Sequence, residues 1–417
     1  MSHLPRIRIL FVHQRSELGG APGSLARLIS ELDHDRFEPH VFCPPGASAQ
    51  VFREAGALVY EGPVAGFTHI WASFYEGRRW LLLGSELARL PWHVASFERT
   101  LRDGRFDLVH LNDSPLLPAA WLARRRRIPV VWHIRSAPAH WGKDRRSRLL
   151  GGAIARLADA IIAINGDVAR LWDVPADIVP DPVDLGRFTP GDPAAARMGL
   201  GLSASGYVVG YVGFLYPSKG FAELIRAGAL LRGRGIEASY LIVGGGVRAA
   251  PFFRTAIGRA LTSLGLARDY EVEARRAVAE LELGDSVRLM AYTNEVELVY
   301  QASDLVVAPS QGPELGLSML EAAASGVPGV ATGSRTGAGI LLPGTTTLLT
   351  DGFGPAAIAD AIAELLQDAP RRAAMGAAGR ELAVRSFDPA RHARLVEEIY
   401  DRVLAERAPG RSRRKRR

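Results

Sequence analysis

The densest group of chemically useful residues runs from Asp304 to Leu349. A short apolar run, Leu305-Val306-Val307-Ala308, leads through Pro309-Ser310 into Gly312-Pro313-Glu314-Leu315-Gly316-Leu317-Ser318-Met319-Leu320-Glu321. That order reads as a strand, a glycine-containing loop and a helix beginning near Leu317. The start of such a helix offers free N–H groups and the positive end of the helix dipole, which suits a diphosphate. Gly316, Leu317 and Ser318 stand where those groups would be. Glu321, about one turn into the helix, could accept hydrogen bonds from the neighbouring hydroxyls of a ribose. Glu314, in the loop, could do so from the hydroxyls of a sugar. Lone carboxylates are more often solvated or paired, so spacing alone leaves both roles open.

Other candidates lie upstream. Lys219 sits in the loop Gly213-Phe214-Leu215-Tyr216-Pro217-Ser218-Lys219-Gly220, one of three lysines in a chain with 48 arginines. An ammonium there could meet a leaving phosphate as a point charge. Gly244 opens the run Gly244-Gly245-Gly246 after the apolar segment Tyr240 to Val243. His133 follows the strand Val130-Val131-Trp132, and Arg135 could meet an anionic acceptor or a phosphate. A lone strand-end histidine is more often structural than functional.

These residues need a scaffold that alternates strand and helix. Ile7 to Val12, His40 to Cys43, Leu108 to Leu111, Val130 to His133 and Ala160 to Ile164 read as strands of a first half. Tyr207 to Val212, Tyr240 to Val243, Val287 to Met290, Leu305 to Ala308 and Gly329 to Ala331 restart the pattern. Repeated βα units predict two doubly wound α/β domains with parallel sheets, joined by the Pro-rich segment 179–190. Ligands would lie at the carboxyl ends of the strands, between the domains. Asp388-Pro389 predicts the start of a last long helix, to about Leu404.

Composition narrows the class. The 417 residues are 47% hydrophobic and 23% charged, and Cys43 is the one cysteine, so no disulfide can form within the chain. A reducing, cytoplasmic setting is the expectation. No run is long and apolar enough for a transmembrane helix or a signal peptide. The net charge of +7 belongs to the end of the chain. Residues 407–417 hold seven basic residues and no acid, which leaves 44 basic and 44 acidic residues elsewhere. A balanced body without a recognition motif argues against specific nucleic-acid binding. The tail is expected to be disordered. All seven tryptophans fall in the first 172 residues, and Arg124 to Arg148 carries nine basic residues against one acid, Asp144. Aromatic and basic residues together suit an anionic membrane surface; the competing explanation is core aromatics beside a solvated basic face.

The segment from Asp304 closely resembles the donor-binding motif of family 4 glycosyltransferases, which have the GT-B fold. Four other stretches resemble that family in the expected order: Gly19-Gly20-Ala21, Phe106-Asp107-Leu108-Val109-His110, Pro180 to Phe188, and Val212 to Gly220. The resemblance spans about residues 6 to 404. It implies two Rossmann-like domains facing a cleft: an acceptor-binding domain over 1–180 and a nucleotide-sugar-binding domain over 181–385. A C-terminal helix over 386–406 would pack back across them, followed by the basic tail 407–417. It implies a UDP- or GDP-linked sugar donor, retention of anomeric configuration, and neither cofactor nor metal. Donor binding would fall to Gly19, Gly20, Gly213, Lys219, Gly244, Asn294, Glu314, Gly316, Leu317, Ser318 and Glu321. His133, Lys219 and Glu314 would act on the reacting sugar and its leaving group. The aromatic and basic first domain points to a lipid-linked or cell-surface glycan acceptor.

Three positions depart from the family pattern. Pro313 stands at its first glutamate, with Glu314 displaced by one. Phe214 replaces an arginine that meets the diphosphate, and Gly339 replaces an acidic residue. Residues 250–280 read as an insertion. A catalytically degenerate GT-B scaffold is therefore the alternative expectation; a nucleotide-sugar epimerase of related architecture is less compatible with the five segments.

Overall fold

The structure is a computed structural model and describes residues 5–67, 78, 80–246, 250–291, 293, 295–312, 316–332 and 340–407. Two compact units divide the chain: residues 1–182 with 389–417, and residues 183–388.

Among the described residues the first unit holds a parallel sheet of seven strands: β1 (Ile7–Val12), β2 (Phe37–Cys43), β3 (Leu58–Glu61), β4 (Leu108–Asn112), β5 (Val130–Ile134), β6 (Ala160–Ala163) and β7 (Asp177–Ile178). Their order is β3-β2-β1-β4-β5-β6-β7. Every residue of β4 and β5 is buried, as expected of a parallel sheet covered on both faces. Side chains alternate across it. Ile9 and Phe11 face the helices α1 (Gly20–Glu31) and α2 (Ala47–Glu54). Leu10 and Val12 face α3 (Trp80–Gly104), α4 (Leu117–Arg125), α5 (Arg145–Leu157) and α6 (Gly166–Trp172).

The second unit repeats the plan with β8 (Tyr207–Val212), β9 (Ala238–Val243), β10 (Val287–Met290), β11 (Leu305–Ala308), β12 (Gly329–Ala331) and β13 (Thr347–Leu349), in the order β10-β9-β8-β11-β12-β13. Its helices are α7 (Pro193–Gly199), α8 (Phe221–Gly233), α9 (Ala250–Arg254), α10 (Ala256–Ser263), α11 (Tyr270–Glu280), α12 (Val296–Ala302), α13 (Leu317–Ala324), α14 (Pro355–Gln367) and α15 (Ala369–Ser386). Residues 250–280, the expected insertion, thus carry three helices.

The last helix, α16 (Pro389–Arg407), belongs to the first unit. Val396, Ile399, Tyr400 and Val403 are buried against the face that holds Phe37, Val131 and Ile162. Arg36 pairs with Asp401 at 2.8 Å, and Glu397 accepts the backbone N–H of Asp33 at 2.8 Å.

Strands β3, β7 and β13 are additions to what the sequence pattern shows. All three lie at sheet edges and bury few of their residues, so they carry no continuous apolar run. No helix among the described residues is long and apolar enough to cross a membrane.

Candidate active site

In each sheet the strand order reverses at one place, and there the carboxyl ends open a crevice. In the second unit the reversal lies between β8 and β11. The N–H of Gly213 donates to the carbonyl of Val243 at 3.0 Å, and that of Gly244 donates to Met290 at 3.1 Å. Gly244 has φ +153°, and a Cβ there would lie 1.8 Å from the carbonyl oxygen of Gly213. Only glycine lets these two strand exits pass so closely.

Lys219 ends a single turn, Pro217–Lys219. Gly220 follows in the left-handed region at φ +73°, where a Cβ would lie 1.7 Å from the carbonyl oxygen of Pro309. The carbonyl of Ser218 accepts the Gln311 N–H at 2.9 Å and the Ser310 hydroxyl at 3.3 Å. The lysine turn and the loop leading from β11 towards α13 are therefore one assembly. Gly220→Ala sets a methyl group against backbone and forces a left-handed residue, a strain of about 1–3 kcal/mol before the clash is counted. We expect a lower unfolding midpoint and weaker nucleotide binding, read by thermal unfolding and titration calorimetry. An unchanged midpoint would mean that the Pro309 peptide yields.

Helix α13 follows Gly316 without a side-chain cap, and the Met319 N–H closes onto the Gly316 carbonyl at 2.9 Å. Glu321 is buried at 8% exposure. The Tyr300 hydroxyl donates to its Oε2 at 2.7 Å. Burial, reinforced by the carboxylate, raises the Tyr300 phenol well above its ordinary pKa, so it stays a donor. Phe214 stacks on Tyr216 at 5.3 Å, and Tyr216 meets the edge of Tyr270 from α11 at 5.0 Å. An aromatic cluster occupies the position where a guanidinium is expected.

In the first unit the reversal lies between β1 and β4. His13 follows β1, Asn112 ends β4, and His133 lies opposite Asn112 on β5. Arg135 is buried among them. Its Nε donates to Asn112 Oδ1 at 2.7 Å, its Nη1 pairs with Asp181, and its Nη2 lies 3.4 Å from His133 Nδ1. Asn112 Nδ2 lies 3.0 Å from His13 Nδ1. Asp113, at φ +103°, accepts from the Ser136 hydroxyl at 2.7 Å and from the N–H groups of Ser114 at 2.8 Å and Arg135 at 3.2 Å. From α16, the Tyr400 hydroxyl meets His110 Nδ1 at 2.7 Å, while His392 Nδ1 meets the Pro180 carbonyl at 2.8 Å.

Burial, then the nearby arginines, lowers the pKa of His13 to about 3. Burial, then Arg135, lowers His392 to about 3 and pushes His110 and His133 well down. All four are neutral at physiological pH. Arg135 is lowered to about 10 by burial, partly offset by Asp113, and stays charged. Gly19 precedes the first residue of α1, Gly20, and its carbonyl accepts the Gly23 N–H at 3.1 Å.

The chain matches the family model described as glycosyl transferases group 1 over residues 196–382, and the glycosyl transferase 4-like domain over 19–181. It is 31% identical over 402 residues to the D-inositol 3-phosphate glycosyltransferase of Nocardia farcinica, covering 89% of this chain and 84% of that protein. The chain is a family 4 glycosyltransferase. The relative of the same name from Thermobispora bispora is 31% identical over 361 residues, covering 81% and 80%. Among solved structures, HepE of Anabaena in complex with UDP-glucose superposes with a TM-score of 0.76 at 20% identity, over 95% of this chain and 100% of that one. Sucrose-phosphate synthase of Thermosynechococcus elongatus gives 0.73 at 21%, over 96% and 100%. The glycosyltransferase has the GT-B fold.

Within this glycosyltransferase, Gly213, Lys219, Gly244, Gly316, Leu317, Ser318 and Glu321 all lie in the second unit, and Gly19, Gly20, His133 and Arg135 in the first. Glu314, Asn294, Pro313, Gly339 and the tail residues 408–417 lie outside the described residues. Arg135, a candidate for an anionic acceptor or a phosphate, has its guanidinium on Asn112 and Asp181, because a buried charge needs partners. Sequence reasoning missed His13, Asn112, Asp181 and Tyr300. For His13 there was a signal, since it ends a strand just as His133 does. For Tyr300 there was none, because nothing in helical spacing says that its hydroxyl meets Glu321.

Proposed function

We propose that the enzyme transfers a sugar from a UDP- or GDP-linked donor, with retention and without a bound metal. The acceptor is a lipid-linked or cell-surface glycan precursor of the polysaccharide or lipopolysaccharide type. The observation that carries this is the locked assembly of the Lys219 turn and the β11 loop, next in sequence to α13 with Glu321 held by Tyr300. Negative charge grows on the leaving diphosphate as its bond to the sugar breaks. Lys219 and the N–H groups at the start of α13 meet that charge, in place of a metal. Glu321 takes the ribose hydroxyls, and His133 and Glu314 take the transferred sugar. The UDP-glucose of HepE supports a donor of this class.

The test is thermal unfolding of the purified enzyme with UDP, GDP, ADP and their sugar conjugates, in chelator. A ligand at one hundred times its Kd stabilises by about 2.7 kcal/mol. Glu321→Ala and Lys219→Ala should each weaken that nucleotide at least about tenfold, roughly 1.4 kcal/mol. A second reading, a GT-B scaffold without activity, is favoured by the aromatic cluster at Phe214. It takes the lead if no nucleotide shifts the midpoint.

The enzyme acts at the cytoplasmic face of the membrane, with the first unit as its peripheral contact. None of residues 80–92 of α3 is buried, and Trp80 and Trp92 are 62% and 66% exposed. Trp121 on α4 is 48% exposed beneath the Arg125 guanidinium, and α5 adds exposed Leu149 beside Arg145 and Arg148. Rings with arginines fit anionic headgroups. Flotation with phosphatidylglycerol vesicles should carry the enzyme up, and Trp80→Ser/Trp92→Ser should leave it at the bottom. Equal recovery with phosphatidylcholine would sink the electrostatic part.

A further inference from the structure

We propose that His13 is a second substrate-binding residue of the first unit, with Asn112 and Arg135 as positioning residues that set both His13 and His133 as neutral hydrogen-bond donors. This rests on the reading above that the first unit meets the transferred sugar or its acceptor.

The guanidinium of Arg135 can only donate. Its Nε, 2.7 Å from Asn112 Oδ1, therefore fixes which end of that amide is oxygen. The other end, Nδ2, is a donor, and it lies 3.0 Å from His13 Nδ1. His13 Nδ1 must accept, so the one proton of the neutral ring sits on Nε2. Arg135 Nη2 imposes the same choice on His133 Nδ1 from 3.4 Å. His392 is set the other way. Its Nδ1 faces the Pro180 carbonyl at 2.8 Å, an acceptor only, so its proton sits on Nδ1.

Position singles out this pair. His13, Asn112 and His133 are neighbours across β1, β4 and β5, at the carboxyl edge and beside the strand reversal. Alternation puts all three on the face that carries α1, below the Gly19-Gly20 turn. Asn112 Nδ2 also reaches the Ala21 carbonyl at 3.4 Å, which ties that turn to the row. The Nε2 atoms of His13 and His133 are buried without a hydrogen-bond partner among the described residues; those of His93, His110 and His392 are too, but His93 and His392 spend their proton on a carbonyl through Nδ1, and His110 lies two residues back from the strand end. Buried N–H groups are rarely left unpaired. Two of them in one row call for lone pairs brought by a ligand: the hydroxyl or ring oxygens of a sugar, or the oxygens of a phosphorylated polyol.

The test uses the full-length enzyme labelled with 15N-histidine. Nitrogen spectra should show both His13 and His133 protonated on Nε2, assigned by loss of a signal in His13→Met and His133→Met. A His13 proton on Nδ1 would overturn the proposal. UDP alone, UDP-glucose, GDP-mannose and D-inositol 3-phosphate are then titrated. A shift of the His13 N–H with a sugar nucleotide but not with UDP identifies the donor sugar as its ligand. A shift with D-inositol 3-phosphate identifies the acceptor. His13→Met should weaken the responding probe about tenfold or more, while His13→Gln, whose amide N–H stands near the place of Nε2, should retain most of the affinity. The opposite ranking would reduce His13 to packing against Phe52. If UDP raises the unfolding midpoint but no probe moves His13, this inference fails and the donor site stands. If no nucleotide binds at all, it is the functional reading that fails.

Discussion

Replacing Arg135 with methionine is expected to cost the first unit about 3–5 kcal/mol, the usual result of removing one partner from a buried ion pair. Methionine keeps an unbranched, adaptable stem, so the expected loss is chiefly electrostatic rather than one of packing. What it leaves behind does. Asp181 loses its cation and Asn112 Oδ1 loses its donor at 2.7 Å. Asp113, whose pKa burial raises, loses a nearby positive charge that lowers the cost of its own. The network also reaches α16, because His392 and Tyr400 pack where Arg135 sets the local field. Urea unfolding at pH 7.5 should show an early transition for the first unit and an unmoved one for the second. Arg135→Lys should recover only part of the loss, since an ammonium cannot serve Asn112, Asp181 and His133 at once. A loss below about 1 kcal/mol would place the charge among exposed pairs and contradict its burial.

The second large effect is acid lability of the same unit. His13 and His392, held down to about 3, are neutral when folded and ordinary histidines when unfolded. Above pH 6.5 both states are neutral and neither ring alters stability. Below it the unfolded chain binds protons that the folded unit refuses, so stability falls as pH falls, down to about pH 3. At pH 5 each ring accounts for about 2 kcal/mol, at 1.36 kcal/mol for each pKa unit. His110 and His133, also pushed well down, act in the same direction. His40 and His93, also lowered by burial, join them; Asp113 opposes, since burial raises its carboxyl, but it is one group against six. The midpoint of the first unit should drop steeply between pH 7 and pH 5, ahead of the second unit, where no histidine occurs. His392→Gln should flatten the slope. A midpoint independent of pH over that range would mean that the rings gain protons inside the fold.

Much of the strand-end geometry of the second unit was legible because it is local. The order of strand, glycine loop and helix around Leu317 follows from apolar runs and glycines within a few residues of one another. The same holds for Gly213, Gly244 and Gly220, although the reason each must be glycine was not visible. A Cβ at Gly220 meets Pro309, 89 positions away, and one at Gly244 meets Gly213. Such close approaches are made by pairing β8 with β9 and β11 and leave no trace in spacing.

The sequence by itself determined two doubly wound units, ten of the thirteen strands among the described residues, and a balanced body with its positive charge at the end of the chain. Apolar periodicity and composition are properties of neighbours along the chain, and they suffice for that. Only the tertiary structure decided which residues of the first unit receive α16, that Tyr300 holds Glu321, and that Arg135 looks inward. The physical reason is one for all three. A buried polar group must find partners wherever the fold brings them. Asn112 links His13 to Arg135 across three strands, and Tyr400 reaches His110 from the far end of the chain. Hydrogen bonds between residues 21 to 290 positions apart are chosen by the packing of the sheet, and no local pattern records them.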